Sequence, residues 1–536
     1  MGIYKSFIIV LFLLVAGSSY GQMNRYVVFL SDKDNTPFAV DKPEEFLSQR
    51  AIDRRSRMNI DITEQDLPVD PAYVSQIAST GADVYFTSKW FNAVLTQMHD
   101  SELAAVEQLS FVDSVVFVAP NELLGPMDQE PTVAADFIVP TKINAKTGTQ
   151  LRVLGSDVMH DDGYRGEGVL IAVFDDGFQG VNEFEPFGNM HKENRLVATK
   201  DFIANSGNVY QYDDHGSSVL SCIASNYGED LIGTAPKASY ILCVTEDLST
   251  EYRIEEYNWL LAAEFADSAG VDVINGSLGY SNFTGTDMDY SLDDMDGSTT
   301  IVAQAAKITS EKGIVVVVSA GNSGNSSWGH VTSPGDAFDV LTVGSITLSG
   351  GRSSFSSYGP TADGRIKPDV VALGSAATIF YMSNGEVAIA SGNGTSFSAP
   401  QVAGFAAGVI QAHPTWTNLR VIEAIKATGN KSTLPDTLVG YGTPKYPLKE
   451  FDNVLSVYPN PLDDEQVTIN FGDLVFNREL HLVLYDNGGK VVLEQVIAPE
   501  DISQKLDLEL TGLRSGLYFL SLRSKRFKEV IQLKKL

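Results

Sequence analysis

Ser396 lies where a serine hydroxyl could act as a nucleophile. The run Gly392-Asn393-Gly394-Thr395-Ser396 leads into a small, apolar segment, Phe397 to Ile410, whose composition predicts a helix buried on all sides. Unpaired N–H groups and the positive end of the helix dipole would then face whatever the hydroxyl attacks. Such a serine is either a helix N-cap or, with a base and an oxyanion donor nearby, a nucleophile.

Three other positions offer what Ser396 needs. Asp175 ends the apolar run that begins at Val169, His215 precedes a predicted helix, and Asn322 follows the apolar run Val315 to Ser319. A serine must lose its proton to a base such as histidine, and a carboxylate holds the imidazole in the correct tautomer. The Asn322 amide and the Ser396 N–H could stabilise a tetrahedral oxyanion.

Residues 150–447 alternate short apolar strands with helices, which predicts an α/β domain with a parallel sheet and helices on both faces. In open α/β sheets the site gathers at the carboxyl ends of the strands. The clearest predicted strands are Val169 to Phe174, Ser239 to Val244, Val271 to Ile274, Ile314 to Ser319 and Val340 to Val343.

These residues resemble the subtilisin-like serine proteases, or subtilases, in which the triad also runs in the order Asp, His, Ser. The matching segments are Asp175-Asp176-Gly177, His215-Gly216, Gly233-Thr234-Ala235-Pro236, Ser277-Leu278-Gly279, Ala320-Gly321-Asn322, Lys367-Pro368-Asp369 and Gly394 to Pro400. The resemblance implies that Asp175 orients His215, that His215 is the base and then the acid, that Ser396 is the nucleophile and that Asn322 is the oxyanion donor. It assigns substrate binding to Ser277, Leu278, Gly279, Ala320 and Gly321, the first three as an edge that pairs with an extended peptide.

The chain departs from the family pattern at several positions. Asp176 replaces the usual Ser or Thr, and we expect it to face solvent, because a second buried carboxylate beside Asp175 would raise one pKa. Ser217-Ser218 and Phe397 replace the common Thr-His and Met, but no catalytic atom is lost. Ser323 offers no acid to a basic P1 side chain, which favours an apolar P1 residue.

Length and charge restrict the class of protein. A chain of 536 residues predicts more than one domain, and a formal net charge of −30 argues against nucleic acid or an anionic membrane as a partner. Cys222 and Cys243 are too few for a disulfide scaffold; export would permit a bridge, but their apolar settings favour buried free thiols.

The N-terminal part predicts a preproprotein. Residues 1–21 read as a cleaved signal peptide, with Lys5 before the apolar run Phe7 to Ala16, and no later stretch is long and apolar enough to span a membrane in the mature form. Residues 25–120 predict a small α+β domain of order β-α-β-β-α-β, in which Glu44 to Met58 is one helix. This domain resembles the inhibitory propeptide of subtilases, so the chain's own propeptide is an expected partner.

Two further segments complete the expected organisation. Residues 121–149 lose periodicity and contain three prolines, which predicts a linker that is cut on maturation. Residues 453–536 predict a β-sandwich that resembles the C-terminal sorting domain of the type IX secretion system of Bacteroidetes, through Tyr458-Pro459-Asn460-Pro461, Leu513 to Phe519 and Lys534-Lys535-Leu536. The type IX machinery is therefore an expected partner, and the surface or medium, reached through the periplasm, is the expected location.

The resulting prediction is a secreted serine endopeptidase that acts on proteins and peptides and needs no cofactor for its chemistry. The alternative is an inactive subtilase fold that serves as a binding protein or adhesin. Subtilases often bind structural calcium, so calcium is possible here. The acidic loop Ser281 to Thr300 lacks a complete ligand spacing, however, which favours a solvated surface loop.

Overall fold

The computed structural model describes residues 23–121, 132–383, 386–448, 456–462, 465–471, 479–498, 505–524 and 527–536. The predicted signal peptide, residues 1–21, lies outside these ranges. Within them, no helix combines the length and the apolar character that crossing a bilayer requires.

The N-terminal domain is a four-stranded antiparallel sheet in the order β2-β3-β1-β4. Two short 3₁₀ turns, Pro43–Glu45 and Glu64–Asp66, lie in the connection between β1 and β2. The regular elements are β1 (Asn24–Leu30), α1 (Gln49–Arg57), α2 (Pro71–Ser79), β2 (Asp83–Ser88), β3 (Ala93–Met98), α3 (Asp100–Glu107) and β4 (Val112–Pro120).

Both faces of this sheet are apolar, because successive side chains of a strand point to opposite sides. Tyr26, Val28 and Leu30 of β1 join the core that the domain forms for itself beneath α2 and α3. Val27 and Leu95 belong instead to a cluster shared with the helix Ile254–Ala269 of the central domain. The second face is therefore covered by the central domain.

The structure corrects two predictions for this domain. The single helix predicted for Glu44 to Met58 is wrong, since the chain makes a 3₁₀ turn and restarts at Ser48, whose side chain caps α1 through the N–H of Ala51. Helix α2 was not predicted, although Asp70 caps it and Pro71 opens it, which is a usual helix start.

The central domain holds twelve strands and eight helices among its described residues. In chain order they are β5 (Lys142–Ile143), α4 (Gly148–Leu154), α5 (Ser156–Asp161), β6 (Leu170–Asp175), α6 (Glu185–Lys192), β7 (Leu196–Asp201), α7 (His215–Ala224), β8 (Asn226–Tyr227), β9 (Leu231–Ile232), β10 (Ser239–Val244), α8 (Ile254–Ala269), β11 (Val273–Gly276), α9 (Ile301–Glu311), β12 (Val315–Ser319), β13 (Leu341–Ile346), β14 (Val370–Leu373), β15 (Ala377–Ser383), β16 (Glu386–Gly392), α10 (Ser398–Ala412) and α11 (Asn418–Ala427).

Seven of these strands form one parallel sheet in the order β14-β13-β12-β11-β6-β10-β7. In the central strand β6, Ile171 and Val173 face the cluster that contains α7 and α10, whereas Leu170, Ala172 and Phe174 face the cluster that contains α8 and α9. Both faces of the sheet are covered by helices, as predicted for an α/β domain.

Residues 132–147 lie along the central domain, and five of their backbone N–H groups bond to it, including that of Thr147, which donates to the Asp230 carbonyl at 3.1 Å. Ala134 donates to the Asn182 carbonyl at 2.9 Å and Ile138 to Glu183 at 2.8 Å. Thr141 donates to Val387 at 2.9 Å and Asn144 to Ile389 at 2.8 Å. This part of the predicted linker, which we name the strap, is therefore integral to the domain that follows it.

The C-terminal domain is a β-sandwich of a three-stranded sheet, β17-β18-β21, and a four-stranded sheet, β20-β19-β22-β23. Their inner faces form one cluster, drawn from residues 457–533. The strands are β17 (Ser456–Tyr458), β18 (Gln466–Asn470), β19 (Leu480–Asp486), β20 (Val491–Ile497), β21 (Lys505–Glu509), β22 (Gly516–Ser524) and β23 (Phe527–Lys535).

Candidate active site

Asp175 and His215 form a hydrogen-bonded pair at the carboxyl end of the parallel sheet. Asp175 is the last residue of β6 and is fully buried, and His215 is the first residue of α7. The distance from His215 Nδ1 to Asp175 Oδ1 is 2.6 Å, and one third of the His215 side chain is exposed. The buried carboxylate thus fixes the Nδ1 proton and leaves Nε2 as the basic nitrogen.

Ser396 lies in a 3₁₀ turn, Thr395–Phe397, immediately before α10. Its Oγ donates to the Ser277 carbonyl at 3.3 Å, and Ser277 Oγ donates to the Ser396 carbonyl at 3.0 Å. The ring of Phe397, the residue after Ser396, lies 5.8 Å from the His215 ring, centroid to centroid, and the hydrogen bond of Ser396 Oγ goes to Ser277 rather than to His215. Catalytic hydrogen bonds are commonly loose in free enzymes and tighten when substrate binds.

The Asn322 side chain is oriented by Thr395. Asn322 Oδ1 accepts from the Thr395 N–H at 2.9 Å and from Thr395 Oγ1 at 3.0 Å. With its oxygen held in this way, Asn322 has its NH₂ group free to donate elsewhere. We did not single out Thr395 from the sequence, although it belongs to the Gly394-Thr395-Ser396 motif.

The predicted substrate-binding residues fall at the ends of two neighbouring strands. Ser277, Leu278 and Gly279 follow β11, with Gly279 exposed and Ser277 bonded to Ser396. Ala320 and Gly321 follow β12, and the φ of 99° at Gly321 favours glycine. The structure thus brings all five residues to the carboxyl end of the sheet, where Asp175 also lies.

Asp176 does not face solvent, so that prediction is wrong. Its residue is only 6% exposed, its Oδ1 has no hydrogen-bond partner, and its Oδ2 lies 4.0 Å from His215 Nδ1. Burial, followed by the charge of Asp175, raises the pKa of Asp176 to about 8. The site therefore contains a second carboxyl group beside the histidine.

The charges around His215 favour its protonated form. Burial alone would lower the pKa of His215, but the Asp175 carboxylate, helped by Asp176 and Asp213, raises it to about 9. Asp214, which precedes His215, accepts a hydrogen bond from the Met382 N–H at 2.6 Å. Burial raises the pKa of Asp214 to about 6. A proton that moves to His215 is therefore well stabilised.

The acidic loop uses its carboxylates for local hydrogen bonds. Asp289 accepts from the Phe283 N–H at 2.7 Å, Asp294 from Ser291 at 2.7 Å and Asp296 from Ser298 at 2.7 Å. Among the described side chains, the single trio of potential metal ligands within 4.8 Å of one another is Asp175, Asp176 and His215. The loop carboxylates are not part of such a trio, and structural calcium stays a prediction from the resemblance.

Comparison with known families assigns three segments of the chain. The subtilase family model matches residues 166–442, just over half of the chain. The chain belongs to the subtilase family. Residues 25–132 match the propeptide domain of peptidase S8 enzymes from Bacteroidota, and residues 456–535 match the secretion system C-terminal sorting domain. This subtilase is therefore a serine-type endopeptidase made with a propeptide and secreted to the cell surface or the medium.

Individual relatives agree with the family assignment. The subtilase is 31% identical to subtilisin from Bacillus pumilus over 275 residues, which cover 50% of this chain and 86% of the relative. It is 29% identical to subtilisin NAT from Bacillus subtilis subsp. natto over 357 residues, or 66% of this chain and 79% of the relative. A crystal structure of MycP1 from Mycobacterium smegmatis matches with a TM-score of 0.43 and 23% identity over 61% of this chain and 87% of that one.

The propeptide of this subtilase docks on α8 through a buried ionic cluster. Asp267 pairs with Arg54 at 2.6 Å, with Arg55 at 2.7 Å and with Lys89 at 3.2 Å. Burial alone would raise the pKa of Asp267, but Lys89, Arg55 and Arg54 hold it well below its ordinary value. One turn earlier on α8, Glu264 accepts from the N–H groups of Lys89 and Trp90 at 2.9 and 3.0 Å.

Proposed function

We propose that this subtilase hydrolyses peptide bonds through Asp175, His215 and Ser396, with Asn322 as the side-chain oxyanion donor. The observation that supports this most directly is the 2.6 Å bond from His215 to the buried Asp175 carboxylate, with the ring of Phe397, the residue after Ser396, packed near His215. The Thr395 bonds to Asn322 Oδ1 support the oxyanion role, because they leave the NH₂ group to donate.

The reaction that this arrangement supports is acyl transfer in two steps. His215 Nε2 takes the hydroxyl proton as Ser396 Oγ attacks the carbonyl carbon, and the oxyanion accepts from Asn322 and the Ser396 N–H. His215 then returns the proton to the leaving amine, which gives an acyl-enzyme. Water, deprotonated by His215, hydrolyses the ester by the reverse roles, so no metal or cofactor is needed for the chemistry.

We further propose that the substrates are extended protein segments that pair with Ser277, Leu278 and Gly279. The exposed backbone at Gly279 supports this, since an edge must be open to accept a strand. The propeptide would be the first such substrate and would then act as an inhibitor until it is removed. The alternative, an inactive binding protein or adhesin, is disfavoured because each of the four reacting groups is present.

A fluorophosphonate probe tests the catalytic assignment, because it labels only an activated serine. The wild type should be labelled, whereas Ser396→Ala should fold, remain unlabelled and lose many orders of magnitude in turnover. Asn322→Ala should lower kcat by about 10²–10³ with little change in KM. This magnitude is taken over from the equivalent donor in subtilisin, a relative, rather than derived from the structure.

Ser398→Ala is a matched control, since Ser398 begins α10 and its hydroxyl donates to the Ala372 carbonyl of β14 at 3.2 Å rather than to the catalytic groups. It should keep both labelling and turnover. A labelled Ser396→Ala protein would contradict the nucleophile assignment. A wild type that folds but is never labelled would favour the binding-protein alternative.

A further inference from the structure

Three glutamates gather beside the catalytic aspartate, at the end of β10 and the start of α8. Val244 of β10 pairs in register with Asp175 of β6, and the Thr245 N–H donates to the Asp175 carbonyl at 3.0 Å. Glu246 therefore lies two residues beyond the strand end that neighbours the catalytic one. Glu251 and Glu255 follow in the connection to α8 and in its first turn.

Glu246 is tied directly to the proposed substrate edge. Its Oε1 accepts from the hydroxyl of Tyr280, the residue after Gly279, and from Thr245 Oγ1 at 3.0 Å. Tyr280 is itself anchored, since its N–H donates to the Ser333 carbonyl at 2.7 Å. No described residue donates to Glu246 Oε2, and the side chain keeps 9% of its surface exposed. One carboxylate oxygen thus remains available next to the edge.

Glu255 lies behind Glu246 and is only 1% exposed. Neither of its carboxylate oxygens has a hydrogen-bond partner of normal geometry. Burial, and then the charges of Glu246 and Glu251, raises the pKa of Glu255 to about 11, against a weaker opposing contact from the Asp247 N–H. A buried carboxyl group without partners is rare and calls for a ligand or a function.

Two other glutamates of α8 have the hydrogen-bond partners that are expected of a buried structural carboxylate. Glu256 accepts from the Tyr290 hydroxyl at 2.9 Å and from the Val302 N–H at 3.2 Å. Glu264 is occupied by Ser88, Lys89 and Trp90 of the propeptide. Glu246 and Glu255 differ from both, because Glu255 has no hydrogen-bond partner of normal geometry and neighbouring carboxylates disfavour the ionised form of each.

The spacing of the glutamates indicates the kind of cation that fits. The one trio of ligand atoms within 4.8 Å among the described side chains is at Asp175, Asp176 and His215, so the glutamates are not arranged around a compact metal ion. A guanidinium or ammonium group on a flexible stem reaches carboxylates that are further apart.

We propose that Glu246, supported by Glu251 and Glu255, forms a subsite for a basic side chain of the substrate strand that pairs with Ser277 to Gly279. The inference rests on the proposed function and adds a substrate class to it: extended segments that carry lysine or arginine at one fixed position near the scissile bond. Tyr280 positions Glu246, and the entering cation replaces the protons that the carboxyl groups otherwise hold.

Paired peptides test the subsite. Each pair differs only in lysine against norleucine, which has a similar length and no charge, at one position at a time. At one position the wild type should prefer lysine by at least about tenfold in kcat/KM, as expected for a hydrogen bond to a charged group in a buried site. Glu246→Gln should bring the lysine-to-norleucine ratio at that position to about one, while Glu256→Gln should keep the preference.

The wild type alone gives a second readout that needs no folded variant. Burial, with the charges of Glu251 and Asp175 and against the hydrogen bond from Tyr280, raises the pKa of Glu246 to about 8. Glu246 therefore gains its charge as the pH rises through this range, while lysine stays protonated up to about 10. The lysine-to-norleucine ratio should increase between pH 6 and pH 9, and the pH dependence of the triad cancels in the ratio.

The outcomes separate the subsite from the proposed function. A wild-type ratio near one at every position, or a ratio that Glu246→Gln does not change, overturns the subsite but leaves the peptidase intact. A calcium-dependent rise in melting temperature that Glu246→Gln abolishes would make the glutamates a metal site and would also overturn it. A wild type that cleaves neither peptide of any pair overturns the proposed function itself.

Discussion

Carboxyl groups crowd around the imidazole of His215, and this is the main departure from the expected site. Asp175 binds Nδ1 directly, Asp176 lies 4.0 Å from the same nitrogen, and Asp213 adds a third charge. A neutral Asp176 leaves the triad with one negative charge, whereas an ionised Asp176 gives it two. The pKa of His215 should therefore depend on whether Asp176 is protonated.

Asp176→Asn tests this adjustment. General base catalysis needs neutral His215, so activity falls as the pH drops through the pKa of His215, which is raised to about 9. Removing the neighbouring negative charge lowers that pKa, and the acid limb of the kcat/KM profile should move to lower pH. Ser217→Ala, whose hydroxyl donates to the Gln179 carbonyl at 2.7 Å, is the control and should leave the limb in place. An unchanged or upward-shifted limb in Asp176→Asn would contradict the role.

The reacting residues were predicted from local sequence motifs, whereas the burial of their neighbours depends on tertiary packing. Each of the four reacting residues lies at or close to the end of a recognisable element, so their meeting at one end of the sheet follows from the fold class; they are Asp175, His215, Asn322 and Ser396. The burial of Asp176 is set by tertiary packing, which no local pattern reports.

At the scale of elements, α1 is the part of the propeptide that binds most specifically. Arg54 is 1% exposed, pairs with Asp267 and donates to the Val271 carbonyl at 2.5 Å. Arg50, one turn earlier, pairs with Asp272 from a side chain that is 42% exposed. Two arginines of one helix thus each form an ion pair with an aspartate of the central domain, but one pair is buried and the other is partly exposed.

The two arginines should contribute unequally to the stability of the uncleaved protein. In a Ser396→Ala background, which prevents self-cleavage, Arg54→Ala should cost on the order of 3 kcal/mol, because it leaves Asp267 buried with fewer partners. Arg50→Ala should cost at most about 1 kcal/mol, since its pair is screened by water. Urea denaturation of both variants measures the difference, and equal losses would show that burial does not govern the contact.

Maturation should leave the strap on the enzyme. Because Ala134, Ile138, Thr141 and Asn144 donate backbone hydrogen bonds to the central domain, we expect the mature N-terminus to lie before residue 132. Mass spectrometry of the wild type should show this terminus, while Ser396→Ala should retain the longer chain. A terminus within 132–147 would mean that the strap is removed, and identical termini in both proteins would exclude self-cleavage.

The elements that were missed or misplaced are short ones. Helix α2 has nine residues and a weak apolar face, and α1 is separated from its preceding turn by only three residues. Long apolar strands such as β6 and β12 were predicted nearly to the residue, because burial on both faces leaves a continuous apolar run. Short amphipathic helices depend on tertiary packing for most of their stability, so their sequences carry less signal.

At the scale of the whole molecule, the C-terminal sandwich has an apolar core of its own. All residues of that core lie between 457 and 533, while the clusters on the two faces of the parallel sheet draw on earlier residues. A domain that buries its own apolar surface is expected to fold independently of its neighbours. We therefore propose that the sandwich serves export and not catalysis.

Deleting the residues after 448 should test this division. The truncated protein should hydrolyse casein at close to the rate of the full-length mature enzyme, and in a host with the secretion system it should stay in the periplasm. A matched deletion that also removes α11 should unfold the core, because Val421, Ile422 and Ile425 belong to its apolar cluster. Normal secretion of the shorter truncation, or loss of its folding, would make the sandwich part of the enzyme.

The two cysteines have a consequence for the passage of this protein between compartments. Cys222 and Cys243 are both free and fully buried, and burial raises the pKa of the Cys222 thiol to about 12. Thiols react as thiolates, so neither sulfur is available to oxidants, to exchange partners or to oxidoreductases in its folded state. We therefore expect both sulfurs of the folded enzyme to remain thiols in an oxidising exterior.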